Sequence, residues 1–180
     1  MTIGIAGCGG VGSNIAVHLV RSGVKNFKLV DFDVIDQSNL NRQFYFTDQI
    51  GLLKVDALEI NLKRISPDIN IEKESVRLTS ENIQSLFASC EIVVEGFDKA
   101  ISKAMLLDTF SGSGKKVVSA CGLAGLDINS IRQKNIGGNI YIYGDFETDI
   151  SQKKLYSPKI FIVASMMANK ILEELEFKDE

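Results

Sequence analysis

The sequence predicts an α/β domain in which a mostly parallel sheet carries helices on both faces. Three observations predict it. Short apolar runs of β character alternate with segments of helical periodicity along the chain. A glycine-rich turn, GCGGVG from Gly7 to Gly12, separates the first such run from the first helical segment. The second run stops at acidic residues, Asp31 and Asp33.

Taken in order, Thr2 to Ala6 is a short apolar strand. From Ser13 to about Arg21, Ile15, Ala16, Leu19 and Val20 recur at helical spacing, and Gly23 closes that helix. Phe27 to Val30 is the second strand. Strand, glycine turn, helix and strand together form a parallel, right-handed unit, and the expected architecture is Rossmann-like. Val34 to Ile50 is polar and aromatic without periodicity and reads as a long loop. Leu53 to Ile65 is amphipathic, with Val55, Leu58, Leu62 and Ile65 on one side, and Pro67 ends it. Asn70 to Leu78 alternates like a strand. Thr79 to Leu86 is a short helix with Thr79 as candidate N-cap, although Asn82 three positions on completes no capping box. Glu91 to Val94 is a strand, Lys99 to Phe110 a helix, and Lys116 to Ala120 and Asn139 to Tyr143 are strands. The hydrophilic stretch from Gly144 to Ser157 is a surface crossover, and Pro158 to Phe177 is a long helix with an acidic end. No repeat or linker divides the 180 residues, so one domain over 1–180 is expected.

Composition narrows the function classes. Apolar residues make up 45% and charged residues 24%, ordinary values for a soluble globular protein. The net charge of -3 argues against nucleic acid as a partner, which favours a basic face. No apolar run is long enough to span a bilayer, and Met1 leads almost directly into the glycine turn without a signal-peptide pattern, so no membrane association and a cytoplasmic location are expected. Cys8, Cys90 and Cys121 form no Cys-x-x-Cys pair, so neither a disulfide framework nor a structural zinc is expected; three reduced, mostly buried thiols are.

Three motifs carry chemistry. Gly7, Gly9, Gly10 and Gly12 between a strand and a helix let backbone amides approach a phosphate, and the helix N-terminus adds donors and a favourable dipole. Asp31, closing the second strand, is placed to hold a ribose hydroxyl. This pair of signals points to a nucleotide and leaves ATP and NAD both open. The following segment, DFDVIDQSNLNRQ from Asp31 to Gln43, carries Asp33, Ser38, Asn39, Asn41, Arg42 and Gln43. Arg42 offers several fixed donors to phosphate oxygens, Asn39 and Ser38 offer neutral ones, and Lys54 adds a point charge. A triphosphate has use for such a loop; a dehydrogenase does not. The third motif is Asp98, at the end of a parallel strand, where ligands of open α/β sheets gather and where a carboxylate can hold Mg²⁺ with substrate phosphates.

In order and spacing, Gly7 to Gly12, Asp31 to Gln43, Gly51 to Lys54 and Asp98 resemble the ThiF/MoeB/HesA family, the bacterial relatives of the ubiquitin-activating enzymes. The resemblance covers roughly residues 1–125, SNLNRQ being its most specific part. Phe97 to Met105 and the helix after Ser157-Pro158 are similar to the short ThiF-like proteins of thiamine biosynthesis. The resemblance implies a nucleotidyltransferase that uses ATP and Mg²⁺ to adenylylate the C-terminal carboxylate of a small ubiquitin-fold sulfur carrier ending in Gly-Gly. It implies that the glycine turn contacts the nucleotide and Asp31 binds the ribose. Asn39, Arg42 and Lys54 would bind the phosphates, and Asp98 would coordinate Mg²⁺.

Departures from the family pattern set further expectations. The family's usual homodimer sends an Arg into the neighbouring site from helices ahead of the first strand; here the first strand starts at Thr2, and no such Arg is assignable. No cysteine lies beyond Cys121, so the crossover lacks the thiol some relatives use for a covalent carrier link. Where the family has Asp-Asn followed by an Arg, this chain has Asp98-Lys99 with Lys103, which keeps the charge without a bidentate grip. Two competing readings remain at this level. An NAD-dependent oxidoreductase is supported by the glycine turn with Asp31. It is opposed by SNLNRQ and by the lack of a hydride-transfer site, since the sole histidine, His18, sits off the apolar face of the first helix where a solvated side chain is expected. A non-catalytic nucleotide- or carrier-binding relative is opposed by Arg42, Lys54 and Asp98.

Overall fold

The structure, a computed structural model, describes residues 1–176. Its frame is a seven-stranded sheet of order β3-β2-β1-β4-β5-β7-β6, made of β1 (Ile3–Ala6), β2 (Asn26–Val30), β3 (Asn70–Glu74), β4 (Ile92–Glu95), β5 (Lys116–Ala120), β6 (Arg132–Ile136) and β7 (Ile140–Gly144). All neighbours are parallel except β6 and β7, which pair antiparallel. The helices are α1 (Gly10–Arg21), α2 (Lys54–Lys63), α3 (Ile83–Leu86), α4 (Ala100–Phe110) and α5 (Ser157–Glu174). The expected end of the last helix at Phe177 lies outside the described residues.

The pleat sorts the core into two layers. Ile3 and Ile5, Phe27 and Leu29, and Ile92 and Val94 point to one face and pack with α1, α2 and α5. Val93, Val117, Ile140 and Ile142 point to the other and pack with Ile83, Phe87, Leu106 and Phe110 of the α3–α4 side. Every residue of β1, β4 and β7 is buried, as a sheet covered on both faces requires. The Phe87 ring lies so close to β1 that a Cβ on Gly4 would come within 2.5 Å of it, so glycine at position 4 is what lets that ring fill the second layer.

Three elements depart from the sequence reading. β3 ends at Glu74, not Leu78, because its partner β2 ends opposite it at Val30 and the ladder stops. α3 starts at Ile83, and Thr79 does not cap it; the Asn82 side chain accepts from the Thr79 amide at 2.8 Å instead. β6 is absent from the strands that the sequence predicts. Its residues RQKNI are exposed throughout and carry no apolar alternation, so only pairing with β7 across the turn at Gly137 and Gly138 makes them a strand. Both of those glycines have positive φ, 61° and 78°, and a Gly-Gly pair between two runs is the signal that marks a hairpin. The loop at 34–50 is as expected irregular, tightened by short 3₁₀ turns at Gln37–Asn39 and Thr47–Gln49.

The chain leaves β1 for β2 and β3 on one side and then returns to β4 on the other. The strand order therefore reverses between β1 and β4, and a crevice opens beyond their carboxyl ends, the usual ligand position of such sheets.

Candidate functional site

A cleft of about 660 Å³ occupies that crevice. Its floor is the glycine turn. The Gly7 amide bonds the Val30 carbonyl at 2.9 Å, tying the turn to the end of β2, and Gly7 has φ of 93°, where a side chain would be strained. Gly9, Gly10 and Val11 then open α1 into the cleft. The first amides of a helix have no intrahelical acceptor, so this end offers donors and positive potential to an anion. Gly12 does not line the cleft. A Cβ there would lie 2.0 Å from the Gly7 carbonyl oxygen, so Gly12 serves the close approach of α1 to β1.

Asp31 closes one end of the floor. Its Oδ2 accepts from the Cys8 amide at 2.7 Å and its Oδ1 from the Asp33 amide at 2.8 Å, which fixes the carboxylate at the cleft edge. Burial pushes its carboxyl above the ordinary carboxylate value, although those two amides and nearby Lys54 counter the effect. Burial, together with Asp31, also drives the Cys8 thiol well up, so Cys8 is an inert packing residue.

The loop after β2 is held by its own polar groups. Asp36 Oδ1 accepts from the Ser38 amide at 2.8 Å, and the Asn39 side chain accepts from the Asp36 amide at 3.1 Å. Arg42 Nη1 donates to the Ser38 carbonyl at 3.0 Å and to Asn41 Oδ1 at 2.7 Å. Ser38 and Asn41 stay outside the cleft and orient Arg42, whose stem lies along the helix start: a Cβ on Gly10 would sit 3.5 Å from Arg42 Cγ. The guanidinium keeps further donors for the cleft. Asn39, Arg42 and Gln43 line the cleft, as do Asp33 and Lys54, joined at 2.9 Å through Lys54 Nζ and Asp33 Oδ2. The Gln43 side chain is buried, and its Oε1 has no hydrogen-bond partner among the described residues. A buried polar atom left without a partner costs free energy, so this acceptor fits a site whose ligand brings a hydrogen-bond donor.

Asp98 lies on the opposite lip, exposed, beyond the end of β4. It does not cap α4, whose N-cap is Lys99 without a side-chain bond. One carboxylate in this position suits a hard cation whose other ligands are phosphates and water. No group of three or more potential metal ligands occurs among the described residues. Lys103 differs from its expected part. Its ammonium lies 3.0 and 2.9 Å from the two oxygens of Glu95 and also donates to the Ala120 carbonyl at 3.1 Å. Glu95 is fully buried and accepts from Ser119 Oγ at 2.6 Å and from the Phe97 amide at 2.7 Å. Lys103 thus lines the cleft while neutralising a buried carboxylate that shapes the Gly96–Asp98 turn.

Other cleft residues escaped the sequence reading. Val76, Arg77 and Leu78 run past the end of β3, and the Arg77 guanidinium stacks 4.0 Å over the Phe32 ring. Thr148, Asp149, Ile150 and Leu155 of the crossover form the far wall. Cys121 is exposed and lines the cleft, against the expectation of a mostly buried thiol, while Cys8 and Cys90 are buried; all three are free. His18 is not simply solvated: it is partly buried, 3.1 Å from Ser165 of α5, far from any reacting role, with its pKa lowered by burial and by Arg21.

The family model described as "ThiF family" matches residues 1–178. The chain belongs to the ThiF family. Adenylyltransferase and sulfurtransferase UBA4 of Candida glabrata is 39% identical over 120 residues, 66% of this chain and 28% of that protein. Ubiquitin-like modifier-activating enzyme 5 of Branchiostoma floridae is 42% identical over 84 residues, 46% of this chain and 21% of that protein. This ThiF-family chain thus spans less than a third of the length of these curated relatives. Among solved structures, Escherichia coli tRNA N6-threonylcarbamoyladenosine dehydratase TcdA in complex with AMP superposes with a TM-score of 0.82 at 20% identity, over 98% of this chain and 88% of that one. Escherichia coli MccB with ATP superposes at 0.72 and 17% identity, over 96% and 54% of the two chains. At those identities the likeness establishes the Rossmann-like fold of this ThiF-family member. No helix among its described residues is long and apolar enough to cross a membrane.

Proposed function

We propose that this ThiF-family chain is a single-domain ATP-dependent adenylyltransferase. In this reading it activates the C-terminal Gly carboxylate of a small ubiquitin-fold sulfur carrier ending in Gly-Gly, in cytoplasmic thiamine biosynthesis. The observation that carries the reading is the convergence of Arg42, Lys54 and Asp98 on one cleft floored by the glycine turn and the N-terminus of α1. The relatives named as adenylyltransferases and as a modifier-activating enzyme, and the ATP and AMP held by structures of the same fold, support it.

In this reading Gly9, Gly10 and the helix N-terminus cradle the phosphates, and Asp31 takes the ribose hydroxyls with its remaining lone pairs. Arg42 and Lys54 neutralise the triphosphate, with Asn39 and Gln43 as neutral partners. Asp98 would hold Mg²⁺, which would supply positive charge against the phosphates. A carboxylate oxygen of the carrier attacks the α-phosphorus, the bond to the bridging oxygen breaks, and pyrophosphate leaves with that electron pair. The attacking group is already anionic at neutral pH, so no general base is needed. The chain's work is alignment and charge neutralisation.

ATP–pyrophosphate exchange tests the proposal. Arg42→Ala is expected to lose exchange by about a hundredfold or more, the scale of an electrostatic transition-state contact. Its fold is expected to survive, because the Arg42 side chain bonds only its own loop and alanine keeps the carbonyl that accepts from Asn14. Wild-type exchange in that variant would reject the role.

A further inference from the structure

Asp145 and Lys159 are the most deeply buried ion pair among the described residues, 2% and 1% exposed, and nothing in the proposed reaction uses them. Asp145 follows the last residue of β7, and four donors converge on it. Its Oδ1 accepts from the amides of Glu147 and Thr148, both at 2.8 Å. Its Oδ2 accepts from Thr148 Oγ1 at 2.7 Å and from Lys159 Nζ at 2.5 Å. Lys159, in the first turn of α5, also donates to the Ala124 carbonyl at 2.8 Å.

The pair therefore clamps three segments: the turn after β5, the crossover, and the start of α5. The backbone is shaped for it. Gly122 must be glycine, because a Cβ there would meet Asp145 Oδ1 at 2.0 Å. Phe146 is held at φ of 64°, a strained conformation that brings both following amides onto the carboxylate. Beyond the clamp, Ala124 bridges Leu155, and the Gly125 amide bonds the Lys154 carbonyl at 2.8 Å. The crossover that results presents Thr148, Asp149, Ile150 and Leu155 to the cleft, whereas the anion-binding side comes from α1, the 34–54 segment and the β4–α4 turn.

A buried ion pair seldom stabilises more than an apolar pair of equal volume. What an apolar pair cannot do is direct four bonds onto one point and so fix the path of a loop. We infer that Asp145 and Lys159 are positioning residues: they hold the 145–156 crossover as the cleft wall that faces the acyl substrate, and so govern binding of that substrate and not of the nucleotide. The identity of the substrate rests on the adenylyltransferase reading.

Three measurements on the unaltered chain, Lys159→Met and Thr148→Val test this. They are amide hydrogen exchange across 146–155 without ligand, MgATP affinity by calorimetry, and the dependence of ATP–pyrophosphate exchange on a recombinant ubiquitin-fold sulfur carrier ending in Gly-Gly. In Lys159→Met, exchange across 146–155 is expected to quicken about tenfold or more while β1 and β4 stay protected. The Kd for MgATP should stay within about twofold while the carrier KM rises about tenfold, with kcat changing less. Thr148→Val, which removes one hydroxyl bond, should move the same quantities in the same direction by less, and it carries the test should Lys159→Met not fold. Unchanged exchange across 146–155 would overturn the clamp. An equal loss of nucleotide and carrier binding would reduce the pair to general stability and overturn the assignment. An unaltered chain that binds no MgATP would overturn the adenylyltransferase reading and the choice of substrate with it; the ligand-free exchange comparison alone then decides whether the pair clamps the crossover.

Discussion

Lys54 and Asp33 form an ion pair of unequal partners: the lysine side chain is 8% exposed and the aspartate 48%, across 2.9 Å. The two ends should therefore respond differently to removal. Lys54→Met returns Asp33 to water and keeps the packing of the stem, at a cost below about 1 kcal/mol. Asp33→Asn strands a buried ammonium and should cost about 2 kcal/mol. Nucleotide binding should rank them in the opposite order, because in the proposed function only the lysine faces a phosphate. MgATP affinity should fall tenfold to a hundredfold in Lys54→Met, on the order of one lost charge-assisted bond, and less in Asp33→Asn. Thermal melting with calorimetry of MgATP binding reads both rankings. A Lys54→Met protein that binds MgATP normally would remove Lys54 from the site.

The glycine turn holds two kinds of glycine, and alanine should tell them apart. At Gly12 a Cβ would meet the Gly7 carbonyl oxygen at 2.0 Å and Ile5 Cγ2 at 2.9 Å. A backbone atom cannot yield there, so Gly12→Ala should cost about 3 kcal/mol or more in denaturant unfolding. At Gly10 the nearest neighbour would be Arg42 Cγ at an ordinary 3.5 Å. Gly10→Ala should therefore keep or raise stability, by up to about 1 kcal/mol for a glycine replaced within a helix. The added methyl covers the helix start, so MgATP affinity should drop about tenfold or more. Equal loss of stability in both variants would show that Gly10 is a packing residue too.

Much of this site is legible in the sequence because its chemistry is local there. The floor, Asp31 and the 38–43 loop follow one another within a single βαβ passage, so a linear reading brings them together without knowing the fold. What escapes is long-range. Glu95 reads as the residue that stops a strand, yet it is a buried carboxylate because Ser119 and Lys103 arrive from β5 and α4 to satisfy it. Lys159 shares an i, i+4 row with Val163, Met167 and Ile171, all buried, and a lysine on an apolar face is a signal that it has a hidden partner. That the partner is Asp145 depends on how the crossover folds back, which no spacing reveals. β6 escapes for the opposite reason, since an edge strand with both faces in solvent needs no apolar pattern.

Glu95 should be the most sensitive polar position near the cleft. Fully buried, it accepts from Lys103, Ser119 and the Phe97 amide, all of them donors. Glu95→Gln places an NH₂ where an acceptor is required and leaves Lys103 without a counter-charge. A loss of about 3–5 kcal/mol in urea unfolding is expected. The companion change Lys103→Met leaves the buried carboxylate alone and should cost about as much. The double variant, with neither charge, should recover part of the loss, since neutral partners demand less desolvation. Additive losses in the cycle would mean that the two residues do not act as a pair.

Acid should weaken the fold in part through Asp145. Burial alone would raise the Asp145 carboxyl, but Lys159, the Thr148 and Glu147 amides and the Thr148 hydroxyl outweigh it and hold the group well below the usual carboxylate range. A carboxylate whose folded pKa is depressed contributes stability that is complete above its unfolded value, about 4, and that drains away as pH falls toward the folded value. The unfolding free energy should therefore decline below about pH 4, and Asp145→Asn should flatten that decline while lowering stability at neutral pH. Urea titrations of both proteins from about pH 7 down to about pH 3 measure the two slopes. Parallel curves would show that Asp145 gains no stability from its ionised form, in which case Lys159 would be neutralised by something other than this carboxylate.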